Sequence, residues 1–302
     1  MLKSTLIMLA AMAAAPLLAA ITGRVKAWLA GRRGPAWTLN YATLAKLLRK
    51  TPVYSRSTTY VFRLGPLVGL ATILAALAFL PIAGRPPIFS FAGDVVFVFY
   101  LLGLGRFFVV AAALDTASPF EGMGAAREAL FGTLAEATVF MVLFLLQQTH
   151  GGMSLATYLA ATTAGPGMNG AALVLAVIAL FMILLTENSR VPVDDPTTHL
   201  ELTMIHEVMI LDHSGPDLAM IEMGGWLKLL FYATFIADIA CPFRGGPGDY
   251  LLYLLALVVI YGGIGLVESI TARFRMSLVP KFILTSFALA FFALIFTMEM
   301  PG

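Results

Sequence analysis

The sequence is short of charge and almost without cysteine. Only 12% of its 302 residues are Asp, Glu, Lys or Arg, against 60% hydrophobic, roughly half the charged share of an ordinary soluble domain. That deficit excludes a water-exposed globule of this size and makes the lipid bilayer the expected solvent. Cys241 is the one cysteine. Neither an internal disulfide nor the thiolate set of an iron–sulfur cluster or structural zinc site can be built from it. Also missing are a glycine-rich phosphate loop, a nucleophile elbow and the H-E-x-x-H zinc signature, because Ile210 stands where the second histidine after His206-Glu207 would be. The net charge of +2 carries no nucleic-acid signal. These absences leave a chain expected to hold no cofactor or metal, to carry no catalytic residues, and to meet lipid and protein partners.

What is present is apolar. About eight stretches, 6–21, 64–82, 89–113, 130–147, 171–186, 226–240, 250–267 and 282–298, approach the ~20 residues a hydrocarbon core requires. The expected fold is all-α and polytopic, one transmembrane domain over 1–302 without visible internal repeats. The Ala-rich first stretch follows Lys3 in the manner of a signal peptide, but Arg24, Lys26, Arg32 and Arg33 come after it and hold that side in the cytoplasm. The loop 22–63 adds Lys46, Arg49, Lys50, Arg56 and Arg63 and has no Asp or Glu, so the positive-inside rule makes it cytoplasmic. Segments 115–128, 187–224 and 271–281 then fall on the same side, and both termini lie outside a prokaryotic plasma membrane. Within the basic loop, Trp37, Leu39, Leu44, Leu47 and Leu48 alternate with Lys46, Arg49 and Lys50 at helical spacing. This predicts an amphipathic surface helix that touches headgroups or docks a partner protein.

The loop 187–224 is acidic, with Glu187, Asp194, Asp195, Glu201, Glu207, Asp212, Asp217 and Glu222, every histidine except His150, and Arg190 as its one base. Pro192 and Pro196 force extended geometry on their predecessors, which predicts a rigid turn presenting Arg190 between carboxylates. Helix is expected to resume at Thr197 or Thr198, with Glu201 completing a capping box behind Thr198. His199, His206 and His213 recur every seven residues, a spacing that predicts one helical stripe too long to share a metal. His206 and Glu207 are structural or proton-path candidates. Ionisable residues inside spans face protein interiors and mark ion paths or pairs. Glu136 reads as a titrating or coupling site. Arg106 and Glu268 fit an ion pair or snorkelling to the interface, and Asp238, just before Pro242, is expected to be solvated.

The run Glu187-Asn-Ser-Arg-Val-Pro-Val-Asp-Asp-Pro196, followed by His199-Leu-Glu-Leu-Thr-Met-Ile-His-Glu207, resembles the membrane anchor subunit of formate hydrogenlyase and hydrogenase-4 type NiFe hydrogenases. That protein is similar in turn to subunit 1 of respiratory complex I, the NADH-quinone oxidoreductase. Arg32-Arg33-Gly34-Pro35, Gly124-Ala-Ala-Arg127-Glu128, Glu268-Ser269 and Arg273-Phe274-Arg275 extend the resemblance along the whole chain.

The resemblance implies a non-catalytic subunit with eight helices. It implies docking to a soluble arm of NiFe hydrogenase large and small subunits and iron–sulfur subunits, beside an antiporter-like membrane subunit, with redox energy coupled to ion movement. By motif position, Glu136, Glu187, Arg190, Asp194 and Glu201 line a polar path into the membrane, to which the local reading adds Glu207. Arg127 and Arg190, with Arg33 and Lys46 of the basic loop, face the arm. In complex I a glutamate-rich, glycine-containing stretch of the quinone chamber follows the motif. Here Thr197-Thr198-His199-Leu200-Glu201 takes its place, so the hydrogenase branch is implied and quinone binding is not expected. A quinone-site subunit of a complex I-like assembly and a purely structural anchor are the alternatives.

Overall fold

The structure, a computed structural model, describes residues 2–159, 169–195 and 204–298. Among these the chain forms α1 (Leu2–Leu29), α2 (Leu39–Leu48), α3 (Tyr60–Leu77), α4 (Asp94–Asp115), α5 (Pro119–His150), α6 (Leu155–Leu159), α7 (Gly170–Glu187), α8 (His206–Met209), α9 (Pro216–Ala240), α10 (Asp249–Ile270) and α11 (Val279–Met298). No strand occurs among the described residues. Eight of the helices, α1, α3, α4, α5, α7, α9, α10 and α11, are long and apolar enough to cross a membrane, matching the spans expected from hydropathy. The chain is therefore all-α and polytopic. The turns that follow α1, α4, α7 and α10 lie at one end, called the basic end here because residues 30–59 are there.

Two expectations are corrected. Hydropathy places the fourth span at 130–147, with a loop over 115–128, but α5 starts at Pro119. Proline is at home in a first helical turn, where its missing N–H costs nothing, and the charges of the following turns are absorbed by partners described below. The histidine stripe does not form either. α8 is one turn long, and His213 lies beyond it in a turn where its N–H donates to the Ile210 carbonyl. Gly215 takes φ +58° ahead of Pro216, a backbone that an α-helix cannot pass through. His199, the Thr197/Thr198 cap and Glu201 lie outside the described residues.

The spans pack pairwise, α1 on α10, α3 on α4 and α9, and α11 against α5 and α7. α3 and α4 touch through small residues. A Cβ on Gly65 would lie 2.6 Å from that of Ala112, and one on Gly105 would collide with the Thr72 hydroxyl. Such close backbone approach is how helices associate in lipid, where apolar side chains gain little by leaving the solvent. Polar caps fasten the ends. Asp115, the last residue of α4, accepts from the Thr59 N–H (2.6 Å) and hydroxyl and from the Phe62 N–H at the start of α3, where the helix dipole also favours a carboxylate. At the other end Asp94, fully buried, accepts from the Leu155 N–H (2.7 Å), the Ser154 hydroxyl and the Phe91 N–H.

The helix expected in the basic loop forms as α2, with no buried residue. It lies along α1 near Pro16. A proline inside a helix removes the donor for the carbonyl four residues earlier and loosens its neighbours. Tyr41 donates its hydroxyl to the Ala13 carbonyl, and Asn40 its amide to that of Pro16. Arg33 and Lys46 are exposed.

Candidate functional site

The charged groups inside the bundle converge on Arg106. It follows Gly105, which packs against Thr72 of α3, and reaches across α5 at Gly132, where any Cβ would collide with the guanidinium. Its Nη1 donates to Glu136 at 2.7 Å, and its Nη2 to both oxygens of Glu187 at 2.6 and 2.7 Å. Glu128 stands 3.7 Å from its Nε, and Lys228 of α9 closes on Glu187 at 2.8 Å. Four helices thus share one row of charges, Glu136–Arg106–Glu187–Lys228. The Glu187 side chain is 2% exposed and that of Glu136 40%, so the row reaches from the bundle interior to its surface.

A second row crosses the basic end. Glu268, buried in α10, pairs with Lys26 at 3.0 Å and with Arg190 at 3.5 Å. The structure thus gives Arg106 and Glu268 ion pairs rather than snorkelling. Arg190 comes from the non-helical turn after α7, as the prolines predict. Asp194 of that turn, 1% exposed, accepts from Arg273 at 2.7 Å and from the N–H groups of Asp195, Ile205 and His206. Arg127 donates to the Met204 carbonyl at 2.8 Å. Both side chains therefore hold the segment that leads into α8.

Beside the rows lies a cavity of about 470 Å³. Leu70, Ile73, Leu102, Met220 and Trp226 give it apolar walls, while Arg106, Glu187, Arg190, His206, Glu207 and Lys228 give it a charged side. Burial holds the His206 imidazole below its usual range, and Lys228 adds to this against Glu128 and Asp194. Burial also raises the Glu207 carboxyl from 4.5 to about 7, with the charges of Glu222 and Asp194 assisting and that of Arg190 opposing. His213, stacked 4.0 Å from the Phe62 ring, is lowered to about 4 by burial.

These directions carry a stability prediction. Because folding raises the Glu207 pKa, its protonated form contributes stability that is complete below about pH 4.5 and lost as pH rises through about 7, at most about 3 kcal/mol. His206 and His213 work the opposite way, losing stability as pH falls. The thermal midpoint of the full chain in lipid nanodiscs, compared with that of Glu207→Gln, isolates the carboxyl. The variant gains on the wild type between pH 5 and 7, and parallel pH profiles would remove this role.

Among the residues expected to line a path, the structure joins Glu136 and Glu187 through Arg106, sets Glu207 on the same cavity, and turns Asp194 toward Arg273. The row also recruits Lys228 and Glu128, neither of which the sequence marks as a site residue. Lys228 had a usable signal, a charge inside an apolar span. Asp238 corrects a further expectation. It is 2% exposed instead of solvated, because the last turn of α9 is still packed against α10.

Eight apolar helices enclosing charged rows define a multi-pass membrane protein with ionisable groups in its interior. The chain belongs to the NADH dehydrogenase family, whose model matches residues 2–298. It is 30% identical over 292 residues to formate hydrogenlyase subunit 4 of Escherichia coli (strain K12), covering 94% of each chain. It is 29% identical to hydrogenase-4 component C of the same organism, covering 93% of this chain and 90% of that one. To an NADH-quinone oxidoreductase subunit of Chelativorans sp. (strain BNC1) it is 27% identical, covering 81% and 77%. Its fold is that of a chain in the membrane-bound sulfane sulfur reductase, an archaeal respiratory membrane complex, at a TM-score of 0.84 and 20% identity over 98% of both chains. The resemblance read from the central motif is borne out. The relatives are membrane subunits of hydrogenase-4, formate hydrogenlyase and complex I-like oxidoreductase complexes.

Proposed function

We propose that this chain is the non-catalytic membrane subunit that anchors the soluble arm of a NiFe hydrogenase complex and couples its redox chemistry to ion movement. The observation that carries this is the Glu136–Arg106–Glu187–Lys228 row, which borders the cavity at Arg106, Glu187 and Lys228 and ends at a carboxylate 40% exposed in the middle of a spanning helix. An exposed charge at that depth is costly against lipid. A neighbouring antiporter-like membrane subunit would cover it and receive the signal. A charge change at the arm biases Glu207 and Arg190 at the cavity, and that bias passes along the row. In this reading the basic loop, with Arg33 and Lys46, and the acidic segment 187–224 face the cytoplasm of a prokaryotic cell. Both termini lie outside, and iron–sulfur and hydrogenase subunits sit on the loops.

A mild-detergent pull-down through a tag on this chain tests the assembly. Nickel, iron and hydrogen-dependent viologen reduction in the eluate are expected, and their joint absence would refute it. Glu136→Gln separates coupling from anchoring. The complex should assemble and turn over while ion movement in proteoliposomes falls to background, whereas full ion movement would leave only a structural anchor.

A second reading rests on the cavity. Its volume of about 470 Å³ falls within the range of small-molecule sites, ~300–1,000 Å³, and its apolar wall facing a charged side suits a quinone-site subunit. Saturable quenching of Trp226 by a short-chain quinone would favour that reading.

A further inference from the structure

Neither row of charges uses α2. Its ten residues bury no side chain, and so short a helix is marginal in water by propensity alone. Asn40, Leu44 and Leu47, spaced four and three apart, are its half-buried positions and mark the side on which it rests against α1 and α9. Tyr41 and Leu48, seven apart, share a second, exposed face, and Lys46 shares a third with Arg49 and Lys50, the residues that follow the helix. Cations at that spacing repel one another. No carboxylate pairs with any of the three among the described residues, and residues 22–63 contain none. An apolar face and a basic face of α2 therefore both lack cover.

Where α2 is fastened decides what covers it. Tyr41 and Asn40 hold the carbonyls of Ala13 and Pro16, inside the first span and about 20 Å of rise short of the end of α1 at Leu29. At its other end the Lys50 carbonyl meets Gly215, just before α9, where a Cβ would lie 3.1 Å away. The helix thus climbs the flank of the bundle toward the basic end, its apolar start deep and its cations uppermost, instead of lying over the basic end where a soluble subunit would rest. Two of the three tryptophans, Trp28 and Trp37, are exposed between the last turn of α1 and the start of α2, and this residue type collects at the membrane–water boundary. The Arg24 guanidinium lies 4.0 Å over the Trp37 ring. Lys26, Arg106 and Lys228 each meet a carboxylate, but Arg24 has none among the described residues, and its buried Nε makes no hydrogen bond there.

We propose that α2, with Arg24 and Trp37 at its start, is a docking surface for anionic phospholipid in the leaflet at the basic end. Acyl chains cover Leu39, Tyr41 and Leu48, and headgroup phosphates accept from Lys46, Arg49, Lys50 and the Arg24 guanidinium. A zwitterionic headgroup brings its own cation to its phosphate, so the surface prefers lipid of net negative charge.

Trp37 is the local reporter. The full chain carrying Trp28→Phe and Trp226→Phe is reconstituted in phosphatidylcholine bilayers, and Trp37 emission is followed as brominated phosphatidylglycerol or brominated phosphatidylcholine replaces the host lipid. The anionic quencher should bind about fivefold or more tightly than the zwitterionic one, with a preference that shrinks as sodium chloride is raised. Adding Lys46→Gln, Arg49→Gln and Lys50→Gln together should remove most of that preference, Arg24→Gln a smaller part, and the charge-keeping set Lys46→Arg, Arg49→Lys and Lys50→Arg none. Equal quenching by the two lipids, or a preference that survives the three glutamines, overturns the lipid surface. So does a glutamine variant that keeps its lipid preference while the intact complex sheds its soluble subunits, because α2 then faces protein. In the unaltered chain, phosphatidylglycerol should outlast phosphatidylcholine through detergent exchange when retained lipids are counted by native mass spectrometry. Equal retention there counts against the proposal without relying on any variant.

Discussion

Arg106→Met should cost about 3–5 kcal/mol of stability, the usual consequence of leaving buried charges without their partner. The replacement fills similar space and removes the one cation that touches Glu128, Glu136 and Glu187 together. Lys228 remains near Glu187 but approaches from α9 and reaches neither of the others. Arg106→Lys keeps the charge and loses the fork that spans two carboxylates, so a smaller loss is expected. Glu136→Gln should change stability little, because its carboxylate is 40% exposed. The decisive comparison is the double variant Arg106→Met with Glu187→Gln. If burial of an unpaired Glu187 dominates, the second change recovers much of the thermal midpoint lost to the first. Additive losses, or an Arg106→Met chain as heat-resistant as the wild type, would contradict the hub assigned to Arg106.

The same residues show which parts of this protein are legible in its sequence. Hydropathy located all eight spans because lipid demands a run of about 20 apolar residues whatever the tertiary structure. The prolines at 192 and 196 announced a turn after α7, and the motif around Glu187 identified the family. The hub was not legible. Arg106 finds its partners 30 and 81 positions away, and only the packing of α5 between α4 and α7 brings them within reach. Helix ends are hidden from the sequence for a related reason. Charge at Glu121, Arg127 and Glu128 suggests a loop, but Glu121 accepts from the Asp212 N–H and Arg127 serves Met204, so tertiary contacts let α5 begin three turns early. Asp238 looked solvated because it sits near a span end. Its burial depends on how α10 lies over α9, which no local pattern encodes.

Asp194→Ala should be as damaging as Arg106→Met, for a different reason. Its carboxylate gathers Arg273 and the N–H groups of Asp195, Ile205 and His206, binding the turn after α7 to the start of α8 and to the linker before α11. Removing it takes one ion-pair partner from the half-buried Arg273 and the acceptor from three main-chain donors, each orphaned donor costing about 1–3 kcal/mol where water cannot reach. A loss on the order of 5 kcal/mol is expected if the loop stays in place. Because that exceeds what a surface turn can bear, the turn after α7 should instead open, exposing residues 188–195 to protease while the spans remain folded. Asp194→Asn keeps one acceptor oxygen for the Ile205 and His206 donors and gives up the ion pair, so it should lie between. The resemblance implies a place for Asp194 on a polar path, but its geometry argues for a fastener. Taking up a proton would cost it one of the bonds that hold His206 and Glu207 at the cavity. Limited proteolysis and ion movement measured on the same preparations separate the roles. A fastener loses loop protection in proportion to coupling, whereas an Asp194→Asn complex with an intact loop and no ion movement would return Asp194 to the path.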